Sequence, residues 1–324
     1  MSNIKQFQFE LWQECNNLCK FCFLGQENRK TVDEMKLNNL KRLKDIILDK
    51  EYISQYDNIS LIGGEFFQGQ LRNPEVKKRF FEIIDIIFDK MDKGEIHSSW
   101  IAATLTIGEQ TDLYELLEKY SKTESYKKYT PYTDNNGLWI CTSYDTIGRF
   151  HTKEAEENWK FHMKRISELY PNVKKNTCSI LTQDLMEKYN NNEIMFEQFC
   201  SEYKTSIFFK PPDWGLLKDK FEMEERVPGF FPKKKTAQKF FTKLLMKEGD
   251  LAQKIMNNTY RSDILVKNYN NGEYTYCKRS KTEKNEYGTS KFDLLPCEHY
   301  KMYQSYIDSD DCIKCDLEEM EKLI

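Results

Sequence analysis

The chain has 324 residues, of which 39% are hydrophobic and 31% are charged, and its formal net charge at pH 7 is −3. This length suffices for one large catalytic domain with a small additional module. A slightly negative chain lacks the overall basic character with which a domain binds nucleic acid. We find no run of about 18 apolar residues, and no signal-peptide pattern at the N-terminus. We therefore expect no membrane attachment and a cytoplasmic location.

Short apolar runs alternate with longer amphipathic segments from the N-terminus to Lys210. This alternation predicts parallel strands joined by right-handed crossover helices. Six such units predict an α/β fold, a partial (β/α)6 barrel rather than a closed eight-stranded one. The predicted strands are Gln6–Trp12, Asn58–Ile62, Ser98–Thr106, Leu138–Ser143, Val173–Leu181 and Thr205–Lys210. The predicted helices are Met35–Lys50, Glu75–Lys90, Thr111–Tyr120, Glu154–Tyr170 and Gln183–Tyr203.

The pattern changes after Lys210, where prolines and glycines predict loops. A helix is predicted at Thr236–Met256, and Asn271-Gly272 between two β-prone runs predicts a hairpin. We accordingly divide the chain into a barrel at residues 1–215, a helical linker region at 216–260 and a small cysteine-rich α+β extension at 261–324.

The ten cysteines fall into three groups. Disulfides are uncommon in a reducing cytoplasm, so the groups need another explanation. Cys141, Cys178 and Cys200 stand alone, and we expect them in the core, since free cysteine packs as a small hydrophobic residue. The two terminal groups have the spacing of metal ligands: Cys15, Cys19 and Cys22, and then Cys277, Cys297, Cys312 and Cys315.

The N-terminal group has the spacing CxxxCxxC and directly follows the first predicted strand. Thiolates bind both iron–sulfur clusters and zinc, so the ligand type leaves both open. A structural zinc site closes with four protein ligands, however, and no histidine or fourth cysteine is near. Three thiolates predict an open site with one free coordination position.

This segment resembles the signature of the radical S-adenosylmethionine (SAM) superfamily, including the aromatic Phe21 before the third cysteine. The resemblance implies that Cys15, Cys19 and Cys22 hold a [4Fe–4S] cluster whose fourth iron binds SAM. Reductive cleavage of SAM then yields a 5′-deoxyadenosyl radical that abstracts hydrogen from a substrate. A flavodoxin or ferredoxin is the expected reductant.

Residues after later strands fit the same resemblance. Gly63-Gly64-Glu65 is similar to the family's GGE motif, which contacts the SAM amino group; glycines permit close approach and a carboxylate accepts from an ammonium. Ser143 and Asp145 are candidates for the ribose hydroxyls, Arg149 for the SAM carboxylate, and Asn176 for a polar position on strand five. A glycine-rich adenine motif is missing from strand six.

The C-terminal group offers four thiolates, enough to close a tetrahedral site. Its order of hairpin, Cys277, Cys297 and Cys312-x-x-Cys315 is similar to a Twitch or truncated SPASM module, which implies a second [4Fe–4S] cluster; zinc is the alternative. Relatives with such modules modify peptides or small metabolites, so a peptide or protein substrate is our first hypothesis. Modification of a nucleotide or nucleic acid is the second, and a non-catalytic zinc-binding protein is the third.

Overall fold

The computed structural model describes residues 6–22, 31–130, 136–210, 212 and 220–248. Six strands form one parallel sheet in which each strand pairs only with its neighbours along the chain. β1 and β6 are the two edges of the sheet, which is open in the described part of the chain. The predicted α/β class with six parallel strands is therefore confirmed. The strands are β1 (Gln6–Glu10), β2 (Asn58–Ile62), β3 (Ser98–Ala102), β4 (Gly137–Ser143), β5 (Lys174–Ile180) and β6 (Ser206–Lys210).

Ten helices connect or follow these strands in the described residues. Polar side chains start several of them by accepting from backbone N–H groups that have no partner inside the helix. Asn73 accepts from the N–H groups of Glu75 and Val76 where α3 begins. The helices are α1 (Asp33–Leu48), α2 (Lys50–Ile53), α3 (Pro74–Asp92), α4 (Thr111–Ser121), α5 (Glu124–Lys128), α6 (Lys153–Leu169), α7 (Gln183–Asn190), α8 (Phe196–Tyr203), α9 (Lys220–Arg226) and α10 (Lys234–Lys247). No described helix is both long and apolar enough to cross a membrane.

Several details differ from the sequence-based expectation. β1 ends at Glu10 rather than Trp12, and α10 ends at Lys247 although a helix was predicted to Met256. The single helix predicted at Gln183–Tyr203 is two helices, because Asn192 takes a left-handed φ of 61° and ends the helical path. β3 ends at Ala102 rather than Thr106, and the buried Leu105 has a φ of 60° that a strand does not accommodate. The short helices α2 and α5 were not predicted, and α9 was covered only by the predicted helical linker region at 216–260.

The two faces of the sheet are chemically different. On the outer face, β5 contributes the buried polar residues Lys175, Thr177 and Ser179, whereas most other side chains there are apolar and buried against the helices; each of these contributes roughly 1.5–3 kcal/mol. The apolar residues include Phe7, Phe9, Ile59, Leu61, Ile101, Leu138, Ile140 and Phe209. The inner face carries polar and aromatic residues that remain partly accessible, including Gln8, Trp100, Trp139, Cys141, Asn176, Cys178 and Phe208.

The three isolated cysteines divide between these environments. Cys200 on α8 packs against the main hydrophobic core, as expected. Cys141 and Cys178 instead lie half-buried on the inner face of β4 and β5. The expectation of a core position was wrong for these two. Successive side chains of a strand point to opposite faces of the sheet. On β4 the residues that face the helices are Leu138, Ile140 and Thr142.

Lys175 is a buried cation on the outer face, between β5 and the helices α6 and α8. Its Nζ donates to the carbonyl oxygens of Met163 and Tyr203 and to the hydroxyl of Ser167. All three acceptors are neutral. Burial lowers the pKa of Lys175 from 10.5 to about 7, because removing an ammonium from water disfavours its charged form.

We expect this lysine to make stability depend on pH. Between about pH 7 and 10.5 the unfolded chain binds the proton and the folded chain releases it. The free energy of unfolding therefore rises with pH across this window, and the cost of burying the charge is fully present below it. Lys175→Met should flatten that rise in chemical denaturation curves. The control Lys164→Met, which removes a half-exposed lysine on α6, should keep it. Parallel curves for Lys175→Met and wild type would contradict the assignment.

Candidate cofactor site at the carboxyl edge of the sheet

The predicted site residues converge on one edge of the sheet. All six strands are parallel, so the segments that leave their carboxyl ends meet at the same edge. Cys15, Cys19 and Cys22 follow β1, Gly63-Gly64-Glu65 follows β2, and Asp145 to Arg149 follows β4. Cys19 is buried, whereas Cys15 and Cys22 are half-buried.

The segment after β1 is joined to the segment after β2 by backbone hydrogen bonds that continue beyond the strands. The N–H of Gly64 donates to Trp12 O at 2.9 Å, and the N–H of Glu65 donates to Glu14 O at 2.9 Å. A Cβ on Gly64 would lie 2.5 Å from Gln13 O and 2.8 Å from Cys15 Cβ. A Cβ on Gly63 would lie 2.3 Å from Trp12 O. Both glycines are thus required for the close approach that places Cys15.

The Glu65 carboxylate lies inside this junction and is 1% exposed. One oxygen accepts from the N–H groups of Phe66 and Phe67, both at 2.8 Å, and the other accepts from Thr104 N at 2.7 Å. Burial raises its pKa. Glu65 therefore ties the β2 loop to the end of β3. Three backbone N–H groups use three of the roughly four lone-pair directions of a carboxylate, so one direction remains for a further donor.

Asp145 and Arg149 form a buried ion pair after β4. Arg149 Nε donates to Asp145 Oδ2 at 2.5 Å, and the other Asp145 oxygen accepts from Ile180 N at 2.7 Å. Burial alone would lower the pKa of Arg149, but the negative charges of Cys19 and Asp145 outweigh it, and the pKa lies above the usual range. Both oxygens of Asp145 are thus already engaged by protein donors.

The same loop contacts the cysteine segment directly. Lys20 N donates to Gly148 O at 2.8 Å, and the Arg149 guanidinium lies 5.4 Å from the centre of the Phe21 ring. Gly148 has a φ of 75°, and a Cβ there would lie 2.9 Å from Phe21. The aromatic residue of the cysteine motif is therefore held by the β4 loop.

Ser143 and Asn176 stand on the inner face of β4 and β5 and are half-buried. Ser143 lies beside Cys178, and Asn176 lies beside Cys141, nearer the middle of the sheet. Asn176 Oδ1 accepts from Ser206 Oγ at 3.1 Å. Cys277, Cys297, Cys312 and Cys315 lie outside the described residues, as does the predicted hairpin.

Residues 220–231, which the sequence assigned to a linker region, pack on the cysteine segment. Cys19 and Phe21 form a second hydrophobic cluster with Met223, Val227 and Phe230. The rings of Phe21 and Phe230 stack at 5.7 Å. The prediction of a helical linker region fits α9 but does not reveal this contact, because Val227 and Phe230 lie beyond the end of that helix, around the Pro228-Gly229 turn.

A second unpredicted feature is the buried cation Lys36 of α1. Its Nζ pairs with Glu14 beside Cys15, donates to Gln70 O at 3.0 Å and lies 5.6 Å from the Trp12 ring. Lys36 precedes Leu40 and Leu43 at helical spacing, which was the available signal that it faces inward. Removing one partner of such a pair costs about 3–5 kcal/mol.

The donor chemistry fits an iron–sulfur cluster with an open position. Three thiols occupy one short segment at the edge of the sheet, and the Arg149 guanidinium lies over the Phe21 ring of that segment, where a cation would favour thiolate ligands. Among the described residues, no three His, Cys, Asp or Glu side chains lie close enough together to hold one metal ion. The sulfur atoms of Cys15, Cys19 and Cys22 would therefore have to approach one another as a cluster binds.

The sequence matches no protein-family model, and no curated protein is significantly similar to it. The resemblance to a family thus rests on the cysteine spacing, the glycine pair and the order of the strands.

We expect Gly64→Ala to destabilise the fold by about 1–3 kcal/mol, as overpacking does, because the added methyl meets backbone atoms that have little freedom to move. Gly108→Ala is the matched control, since its nearest neighbour, Asn158 Oδ1, is at the ordinary distance of 3.6 Å. Chemical denaturation measures both variants. Equal stability of the two would show that the β1 and β2 segments separate at little cost.

Proposed function

We propose that this protein is a radical SAM enzyme with a partial (β/α)6 barrel. The observation that carries the proposal is the junction between two motifs. The CxxxCxxC segment after β1 is hydrogen-bonded to the Gly-Gly-Glu segment after β2, at the carboxyl edge of a sequentially ordered parallel sheet. Two motifs of one family, distant in sequence, thus meet where parallel α/β folds bind ligands.

In this proposal Cys15, Cys19 and Cys22 would hold the cluster, which supplies the electron that cleaves SAM. The chain's own residues position it. Gly63 and Gly64 let the two loops approach, Glu65 fixes the β2 loop, and Arg149 holds Phe21. Phe230 and its apolar neighbours limit the access of water to Cys19, which protects a reactive intermediate from solvent.

The inner face of the sheet is the proposed substrate surface. Trp100 and Trp139 lie side by side on it, with ring centres 5.6 Å apart. The Trp100 indole nitrogen is buried without a hydrogen-bond partner in the described part of the chain. A buried donor of this kind favours a ligand that brings an acceptor.

A peptide or protein remains the first substrate hypothesis, with a flavodoxin or ferredoxin as reductant. Modification of a nucleotide or nucleic acid is the second candidate, and one observation favours it. Trp139 and Phe208, two aromatics suited to stacking on bases, lie half-buried on the inner face. Tyr144 and Phe209, by contrast, pack with the hydrophobic core.

We expect the anaerobically reconstituted protein to bind about four iron atoms at the N-terminal site and to form 5′-deoxyadenosine from SAM under a strong reductant. Changing Cys15, Cys19 and Cys22 together to Ala should abolish this product, because no thiolate remains there to hold the cluster. Cys200→Ala, which alters a cysteine packed against the core, is the control. Undiminished 5′-deoxyadenosine from the triple variant would overturn the proposal, and zinc without iron would support the non-catalytic zinc-binding alternative.

We also propose that the C-terminal cysteines form a separate metal site. Changing Cys312 and Cys315 to Ala should then remove one metal centre and leave the N-terminal cluster in place. A loss of about four iron atoms indicates a second [4Fe–4S] cluster, whereas a loss of about one zinc atom indicates a structural site. Metal analysis of the purified variants measures the difference, and an unchanged metal content would contradict both versions.

A further inference from the structure

The ion pair after β4 has a fixed orientation. Asp145 is 2% exposed and is held on one side by Ile180 N at the end of β5. Its other oxygen holds Nε of Arg149, whose side chain is 13% exposed. The pair therefore has little freedom to rotate, since both ends are fixed by protein atoms.

The positive end of the pair faces the cysteine segment. The guanidinium lies over the ring of Phe21, the residue between Lys20 and Cys22, and the neighbouring Gly148 O accepts from Lys20 N. The negative end faces β5. Lys36, the other buried cation near this segment, is paired with Glu14.

The surroundings of Arg149 are apolar. Phe21 packs with Phe230, Met223 and Val227, and Ile147 and Ile180 line the same cluster. Charges interact more strongly where water is excluded, because the effective dielectric constant is lower and salt does not screen them. An exposed cation such as Lys20 interacts much more weakly with neighbouring charges, because water and salt screen it.

We propose that Asp145 and Arg149 are a positioning pair that fixes a largely buried positive charge beside the Cys19–Cys22 segment and raises the midpoint potential of the bound cluster. This inference rests on the proposed function. Reduction adds an electron, and thus negative charge, to a cluster that already carries thiolates. A nearby cation stabilises the reduced form more than the oxidised form, and local charge is one of the means by which proteins set cluster potentials. Asp145 acts through Arg149 and does not touch the cofactor.

The test is a redox titration of the reconstituted full-length protein, followed by electron paramagnetic resonance without SAM, so that any contact with the SAM carboxylate plays no part. We expect Arg149→Met to shift the midpoint potential to a more negative value. Arg149→Lys keeps the charge and should stay near the wild type. Arg165→Met, which removes a cation lying 5.7 Å from the Tyr114 ring, is the control and should not shift the potential.

The double variant Asp145→Asn, Arg149→Met tests whether the charges of the pair set the potential or whether the pair only supports the loop. Both charges are then lost, and the potential should remain below that of the wild type because the nearer charge was the cation. A return to the wild-type potential would overturn the inference, as would an unchanged potential in Arg149→Met. If Arg149→Met retains no iron, Arg149→Gln decides, because its amide can still donate to Asp145 without carrying a charge; its potential should also fall, and an unchanged potential would overturn the inference. A wild-type protein that binds no iron would overturn the proposed function itself, which is a distinguishable result.

Discussion

The close backbone contact between the segments after β1 and β2 is the constraint on which the candidate site depends. The hydrogen bonds of the sheet do not stop at Glu10 and Ile62 but continue through Trp12 and Glu14 to Gly64 and Glu65. Side chains strengthen this junction: the carboxylate of Glu65 accepts from backbone N–H groups, and the Trp12 indole donates to Glu65 O. Cys15 follows immediately, so its position is set by the sheet rather than by a free loop. A cofactor site needs this type of support, because ligands on rigid elements are held more accurately than ligands on mobile loops.

The difference between the two faces of the sheet follows from the same topology. Parallel strands are usually buried on both faces and read as continuous apolar runs. Here β4 and β5 alternate instead, with Leu138 and Ile140 toward the helices and Trp139 and Cys141 toward the inner face. The residues of β5 that face the helices, Lys175, Thr177 and Ser179, are polar but buried. The other side is packed less completely, and its polar and sulfur-containing side chains are half-buried.

The sequence predicts the strands well because their apolar runs are short, regularly spaced and bounded by turn residues. It also predicts which segments meet, since parallel strands present their carboxyl ends together. It does not reveal the partners of buried charged groups. Lys36 is a long side chain whose contacts depend on the three-dimensional path of another loop, and nothing local to its position identifies Glu14. Arg149 and Asp145 are only four residues apart, but their spacing in a loop does not show that they pair with each other rather than with SAM. The break at Asn192 was missed for a related reason, because a left-handed residue interrupts a helix without changing its apolar period.

The strand order also bears on how the chain acquires its fold. Every strand pairs with the next one along the chain, and none waits for a segment beyond it. Contacts between neighbouring segments impose less loop-closure entropy than distant ones and favour faster folding. The cysteine segment and its β2 partner lie in the first such unit, so this junction can be made while later units are still emerging from the ribosome. When the strands are added in this order, the most recently formed strand is an unpaired edge of the sheet until the next strand pairs with it, and β6 is the last to be added. The exposed Ser206 and Lys210 on that last strand are suited to ending it, because polar and charged side chains discourage pairing with another chain.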